Sequence, residues 1–543
     1  MSLRRSSRKT AGTAFLLSAL RLASGVTAHT IPYNNNGTSA SYISSSSTSS
    51  QASASASSSA SGGNSTVGSL QSCLQNLSPI FPYSQNYGND IAPFNQGFKW
   101  KPAAVVYPQS TNDVSLAVKC AASSGYKVSA RAGGHSYAAF GLGGEDGHLI
   151  ISLDKMAYAY TDSSTGTATI GAGTRLGPVA LGLWQGGQRA MPHGTCPYVG
   201  SGGHFAMGGW GLDSRLWGLA MDNVEAITLV KADGSIATVS SSNDPDLFWA
   251  MRGAAPSFAI ATEFKAKTYQ APSEVYHFEL KLNLQNAQQA TEAFLAYVNW
   301  GTSASVPSEL GMQLELGKNN FVIEGTYYGP NGDVVSNQTI ASLLPKLPVQ
   351  PTQTNWKVDY ITSVERLSGK PNASLNVTGT RDSPDTFFAT ALFVQQENLL
   401  TQQAVQSFFN YIYGPGLSTN LRWFIQTDIW GGQSSNINKV GQQDTSFWVR
   451  DAAYAFQFYA STSNYSPPLT QSDISFVQGF KNSITSQMPG VTFYGYANYV
   501  DQTLSASLAQ AYYYGGHADK LNQIKTQVDP HGIFTNPQAF GRQ

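Results

Sequence analysis

Two glycine-rich stretches decide how this chain is read: RAGGHSY (131–137) and HGTCPYVGSGGHFAMGGWG (193–211). The first follows KVSAR, a short run that reads as a strand. Its glycines therefore fall in the turn after a strand, where bare backbone N–H groups can approach an anion such as a pyrophosphate. Neither stretch has the spacing G-x-G-x-x-G or G-x-x-x-x-G-K-[ST], and GSGGHF breaks the first of these at Phe205. The standard nicotinamide-dinucleotide and P-loop readings are excluded. Each stretch instead carries one chemically able side chain, His135 in the first and Cys196 about sixty residues later in the second.

The chain has three cysteines among 543 residues, Cys73, Cys120 and Cys196. Its N-terminus reads as a secretory signal over residues 1–28. Arg4, Arg5, Arg8 and Lys9 precede the short apolar core AGTAFLLSAL, and VTA offers a small-residue cleavage site before His29. Residues 29–69 are dominated by Ser, Thr, Ala and Gly and read as a linker that cannot bury a core. N-x-S/T sequons begin at Asn36, Asn64, Asn76, Asn337, Asn372, Asn376 and Asn464. A secreted protein can hold disulfides. Cys73 and Cys120, at the start of the first domain, are assigned as a pair. Cys196 is then left over, either a buried inert thiol or one with a task.

Working outward, short strands and helices alternate. AAVVYP (103–108), KVSAR, LIISLD (149–154) and TATIGAG (167–173) read as strands. TNDVSLAVKCAASSG (111–125) reads as a helix capped by Thr111 or Asn112, with Val114, Ala117, Val118 and Ala121 as its apolar stripe. LGPVALGLWQGG (176–187) is a helix with a glycine stop, and VEAITLVKADGSIATVS (224–240) is a hairpin turning at Asp-Gly. DPDLFWAMRG (244–253) is a capped helix, and FAIATEFKAKTY (258–269) is a strand. Beyond Pro272 the strands lengthen (EVYHFELKL, GMQLEL, NFVIEGTYY), with helices at 285–300 and 401–414. These imply an antiparallel sheet with helices on one face, to about residue 490. The C-terminal helix and proline-punctuated loop (518–538) are expected to rejoin the first domain. The fold class is α+β.

Net charge is zero and charged residues make up only 12% of the chain, so nothing points to nucleic acid or acidic membranes. No segment is long and apolar enough to span a bilayer. Aromatic residues reach 12%, which suits neutral ligands such as sugars or small aromatics.

The two glycine stretches, with NYVDQTL (498–504), YYYGGHADKLNQIKTQVDP (512–530) and FTNPQAF (534–540), resemble the berberine-bridge-enzyme-like branch of the vanillyl-alcohol-oxidase flavoproteins. Within that branch they look most like fungal gluco- and chito-oligosaccharide oxidases. The resemblance covers roughly residues 70–543. It implies a two-part FAD-binding domain (70–272 and 491–543) with an inserted substrate domain (273–490). It also implies FAD held by two covalent links, His135 to the 8α-methyl and Cys196 to C6. Gly133, Gly134, Ser136, Gly202, Gly203 and His204 would hold the pyrophosphate and flavin edge, with Ile260 and Asn498 as further cofactor contacts. One departure stands out: RGAAPSFAI (252–260) replaces a glycine run, and Pro256 removes one N–H.

Val199 matches the position where a small residue admits dioxygen to the flavin, which implies an oxidase. Tyr499 and Asp428 correspond to the pair that removes the anomeric hydroxyl proton. An unperturbed tyrosine, with a pKa of about 10, is a poor base near neutrality, and a bare carboxylate beside it would raise it further. The pair therefore makes sense only as a relay in which Asp428 ends with the proton. Alternation puts Gln426 and Asp428 on one strand face. Gln426, Gln457, Glu315, Tyr137 and Tyr496 are the expected sugar contacts. The implied activity is oxidation of reducing-end C1 hydroxyls to lactones with formation of H2O2, by a secreted monomer without a metal. The runner-up is an FAD-linked oxidase or cyclase of secondary metabolism, which a small closed apolar pocket would favour. A non-catalytic sugar-binding protein on the same scaffold would need neither His135 nor Cys196.

Overall fold

The computed structural model describes residues 63–369 and 375–542. The signal segment, nearly all of the linker, and the sequons at Asn36 and Asn372 lie outside the described residues. The first ordered element is a helix, Gly63–Leu74, which begins before the expected start at residue 70.

Three short parallel strands follow, β1 (Ala104–Val106), β2 (Val128–Arg131) and β3 (Leu149–Ser152), in the order β1-β3-β2. The crossover from β1 to β2 is the helix Thr111–Ser123. It buries the expected stripe of Val114, Ala117, Val118 and Ala121. Its cap is Ser110 and not Thr111 or Asn112: Ser110 is still extended, and its side chain accepts from the Asp113 N–H at 3.2 Å. Cys120 on this helix is disulfide-bonded to Cys73, Cα to Cα 5.6 Å.

Next come β4 (Ala159–Thr161), β5 (Thr167–Gly171), β6 (Arg189–Ala190), β7 (Val224–Val230), β8 (Ile236–Ser240), β9 (Ile260–Lys267) and β10 (Tyr269–Gln270). Five of these form an antiparallel sheet, β4-β5-β9-β7-β8, while β6 and β10 pair as a ribbon. The helix Pro245–Met251 forms as expected, but Asp244 does not cap it. Its backbone is left-handed and its carboxylate binds Lys231 Nζ at 2.8 Å.

The C-terminal segment returns to this half of the molecule. Leu521 and Ile524 from the helix Ala518–Val528, with Phe534 and Phe540, pack in one core with residues of β1–β5 and β7–β9. Ile533 O accepts from Val128 N at 2.8 Å. Lys525 fastens the return. Its buried ammonium donates to Asp529 Oδ2 (2.6 Å), Phe534 O (2.7 Å) and Ser257 O (2.6 Å). Asp529 in turn accepts from the N–H groups of Ile533 and Phe534.

Between these parts lies a seven-stranded antiparallel sheet: β11 (Val275–Lys281), β12 (Leu310–Gly317), β13 (Asn320–Tyr327), β14 (Thr352–Val358), β15 (Phe387–Gln395), β16 (Arg422–Ile429) and β17 (Ala452–Ser461). The strand order is β14-β11-β13-β12-β16-β17-β15. Helices Ala287–Gly301, Gln402–Tyr411 and Gln471–Thr485 cover one face. There Phe294, Phe408 and Phe480 pack on Trp423, Ile425, Phe456 and Phe458. Strand alternation turns the other set, including Gln426, Asp428 and Gln457, toward the first half. β15 carried no sequence signal of its own. It is apolar throughout (FFATALFVQ) because both its faces are covered, so it has no alternation to read.

Replacing Lys525 with Met would leave the Asp529 carboxylate buried without its cation. Losing one partner of such a pair costs about 3–5 kcal/mol. The expected result is a clear drop in Tm by calorimetry, and an unchanged Tm would contradict the fastening role.

Candidate active site

The two glycine stretches meet. The backbones of Gly133 and Gly200 lie against each other so closely that a Cβ on either would come within 2.8 Å of the other's Cα. The Arg175 guanidinium ties both loops, donating to Gly133 O (2.6 Å) and Tyr198 O (3.1 Å). Ser201 N and Gly202 N donate to Thr174 O and Ala172 O, which anchors the second loop to the end of β5. Gly203 differs from its neighbours. Nothing lies within 4 Å of where its Cβ would be, so it presents bare backbone to the cavity beside it.

This contact brings His135 and Cys196 together, with Nε2 to Sγ at 3.8 Å. A third group completes the cluster. Asp382 Oδ2 lies 3.2 Å from His135 Nε2 and 3.7 Å from Cys196 Sγ. The ring of Phe94 stacks on His135, centroids 3.9 Å apart. Burial pulls the His135 pKa down, but Cys196 and Asp382 outweigh it and hold it up at about 9.

Between the two halves runs a cavity of about 810 Å³, near the upper end of the range for ligand sites. Gly133, Gly134, His135, Ser136, Cys196, Val199, Gly202, Gly203, His204 and Ile260 all reach it from the first half. The turn that departs from the family pattern, Ala255–Ser257, lines it too and is held by the bond from Lys525 to Ser257 O. Ser136 uses its hydroxyl to accept from Phe140 N.

Three expected contacts line the cavity and also make hydrogen bonds within the protein. His204 cannot offer positive charge to a pyrophosphate. Burial, reinforced by His193, pushes its pKa down to about 3, and its Nε2 accepts from Gly194 N at 2.9 Å. Tyr496, expected to touch sugar, has its hydroxyl committed to Gly209 N (2.8 Å), Trp210 N (3.4 Å) and Asn498 Nδ2 (2.9 Å). Asn498 also donates to Met207 O at 3.3 Å, so the two residues together brace the loop 207–210.

The opposite wall is the sheet. Cross-strand pairing sets Glu315, Gln426 and Gln457 in one row on β12, β16 and β17, with Gln313 opposite Asp428 in the next. Gln457 Nε2 donates to the Tyr137 hydroxyl at 2.8 Å. Tyr137 lies nearly parallel to Tyr499, centroids 6.0 Å apart. Asp428 is buried and its Oδ1 has no hydrogen-bond partner. Burial alone raises its pKa well above the carboxylate range. Burial, with Asp428 adding to it, raises Tyr499 as well. The structure records no hydrogen bond between Tyr499 and Asp428.

Sequence reasoning missed Phe94, Asp382, Arg175 and Tyr459. Tyr459 alone had a signal, since alternation in YAFQFY places it on the face of Gln457. Its ring stacks between Phe387 and Phe424, at 4.4 and 4.7 Å, and forms an aromatic floor for the cavity.

A strand-to-turn glycine cradle, a patch of bare backbone at Gly203, and paired histidine and cysteine nucleophiles suit FAD. Together they define a flavoprotein. Comparison with known proteins agrees. The family description "FAD binding domain" matches residues 102–240, and "Berberine and berberine like" matches residues 495–540. The chain is 35% identical over 464 residues to a chitooligosaccharide oxidase of Gibberella zeae, covering 84% of this chain and 91% of that one. It is 34% identical to a glucooligosaccharide oxidase of Sarocladium strictum, covering 86% and 93%. A solved structure of glucooligosaccharide oxidase from Acremonium strictum, described as holding "6-s-cysteinyl, 8 alpha-N1-histidyl FAD", matches with a TM-score of 0.82. The match is 34% identical and covers 87% of this chain and 99% of that chain. The chain belongs to the berberine-bridge-enzyme-like FAD-linked oxidases of the vanillyl-alcohol-oxidase superfamily, and it is an FAD-dependent oxidoreductase.

Two predictions follow from the geometry. Gly200→Ala forces a Cβ into the Gly133 backbone, so the purified protein should contain little flavin; normal flavin content would contradict the packing. The second concerns the sheet wall. Burial, then repulsion from Glu324 and Glu279, raises Glu315 to about 8, and burial raises Glu324 to about 7. Raised carboxyls favour the protonated fold, so their contribution is full below the ordinary value of 4.5 and is lost as pH rises through 7 to 8. Glu315→Gln should therefore give a shallower fall of Tm between pH 5 and 9 than the parent protein shows.

Proposed function

We propose that this protein is a secreted oligosaccharide oxidase carrying FAD on both His135 and Cys196, which converts the reducing-end C1 hydroxyl to a lactone and reduces dioxygen to H2O2. The observation that carries the reading is the meeting of His135 and Cys196 on one rim of a cavity whose opposite wall is a row of amide and carboxyl side chains. A cofactor tethered at two points need not be enclosed to be retained, so the cavity can stay open to a sugar chain. Sugar oxidases among the relatives support this substrate class. Secretion is supported by the N-terminal signal pattern and the sequons.

FAD, when bound, supplies the two-electron acceptor for the hydride leaving C1, and dioxygen then takes those electrons. The protein's own residues handle the proton. Tyr499 takes it from the anomeric hydroxyl and passes its own to Asp428, whose Oδ1 is left without a partner to receive it. Gln426, Gln457 and Glu315 hydrogen-bond sugar hydroxyls from the sheet, and Glu315, raised to about 8, does so as a donor at neutral pH. Tyr137 offers a ring face to the sugar. Val199, beside Cys196 in the cavity wall, leaves room for dioxygen to approach. The polar row fits a small apolar metabolite less well, which argues against the runner-up substrate class.

A peroxide-coupled screen of gluco-, cello-, xylo- and chito-oligosaccharides tests the reading, and absence of sugar-dependent peroxide with every one would overturn it. Tyr499→Phe should lower kcat by about 100-fold or more, the usual worth of a positioned base. Asp428 must be ionised to accept the proton, and its pKa is raised. So kcat/KM should climb with pH, and Asp428→Asn should abolish that climb along with most activity. Gln457→Ala should raise KM for oligosaccharide much more than it lowers kcat.

A further inference from the structure

We propose that Asp382 is the positioning residue for flavin attachment: it holds the Nε2–H of His135, leaving Nδ1 as the nitrogen that bonds the flavin 8α carbon. This rests on the covalent-flavin reading above and assigns a task that neither the motif nor the cavity explains.

With its pKa held up at about 9, His135 carries a proton on both nitrogens near neutrality, and the one it sheds to become a nucleophile comes from the nitrogen not held by the carboxylate. An ionised carboxylate only accepts. Asp382 Oδ2, 3.2 Å from Nε2, therefore fixes the hydrogen on Nε2 and leaves Nδ1 bare. The carboxylate is itself held, since its other oxygen accepts from Ser383 N at 2.8 Å. Neighbouring Arg381 pins the segment by donating to Asn89 O at 2.6 Å. On the far side the Phe94 ring, stacked at 3.9 Å, keeps the imidazole from turning over. The ring is thus fixed in plane and in tautomer. In the Acremonium strictum enzyme the flavin is described as N1-histidyl, the nitrogen next to the side-chain stem. That is the nitrogen Asp382 leaves free here. The same carboxylate oxygen lies 3.7 Å from Cys196 Sγ, so Asp382 sits beside the imidazole and the thiol together.

The chemistry balances. The new Nδ1–C bond replaces one C–H of the methyl group, whose hydrogen leaves to water as a proton while its bonding pair enters the ring, and the imidazole gives up the hydrogen on Nε2 to Asp382. The two electrons released go to the flavin ring. Dioxygen, the acceptor in the proposed reaction, removes both electrons with two protons as H2O2. Asp382, partly open to solvent, then returns its proton to water.

The test is peptide mapping by mass spectrometry of the purified holoprotein, reading flavin on the His135 peptide and, in the same digest, on the Cys196 peptide. Asp382→Ala should cut histidyl-linked flavin at least tenfold while the cysteinyl link persists, which shows that folding and flavin binding survive. Asp382→Asn retains an oxygen acceptor for Nε2–H and should restore much of the histidyl link. A fully linked His135 peptide in Asp382→Ala would overturn the proposal. So would equal loss of both links, because that reports a structural defect and not a choice of tautomer. If the parent protein itself carries no flavin on His135, the covalent-flavin reading fails before the role of Asp382 is reached.

Discussion

The Gly133 and Gly200 backbones occupy space where any side chain would collide, and the site is arranged around that contact. It places the turn after β2 against the loop before the short helix Ser201–His204. Arg175 locks the two with bonds to a carbonyl on each. Because the loops cannot separate without breaking these bonds, His135 and Cys196 are presented side by side, and the bare backbone of Gly203 is left facing the cavity. Both side chains then line the same part of the cavity.

The sheet contributes the other half of the chemistry through alternation. On β16 the residues facing the helices are Trp423, Ile425 and Ile429, while Phe424 and Gln426 on the other face line the cavity and Asp428 is buried on that same face. The same strand thus builds a core on one side and a polar wall on the other. Burial of Asp428, Glu315 and Glu324 raises their pKa values, so carboxyl groups ordinarily ionised at neutral pH can hold protons here. A wall that donates as well as accepts is suited to hydroxyl-rich ligands, and a proton acceptor of raised pKa is suited to a tyrosine partner.

The glycine loops, the histidine and the cysteine were legible in the sequence because their chemistry is local. Most short strands were legible through alternation or bounding turns. β15 was not, because a strand covered on both faces has no period to read. Caps were misplaced where a neighbour competed: Ser110 is the last extended residue before its helix, and the Asp244 carboxylate is taken by Lys231. Tyr496 and Asn498 sit in the right segment, yet no sequence pattern shows that the Tyr496 hydroxyl is already bonded to the loop 207–210. Asp382 was invisible for a different reason. It stands 247 residues from His135 in a polar stretch without a motif, and only the tertiary fold brings it to the imidazole.

The account turns on one flavin edge meeting both His135 and Cys196, and a crystal structure of the purified yellow protein tests that most directly. Continuous density should run from His135 Nδ1 to the 8α carbon and from Cys196 Sγ to C6 of the same ring, with the ring's open face toward Tyr499 and Gln426. A flavin bonded to neither residue, or bound away from the Gly133–Gly200 contact, would contradict the account.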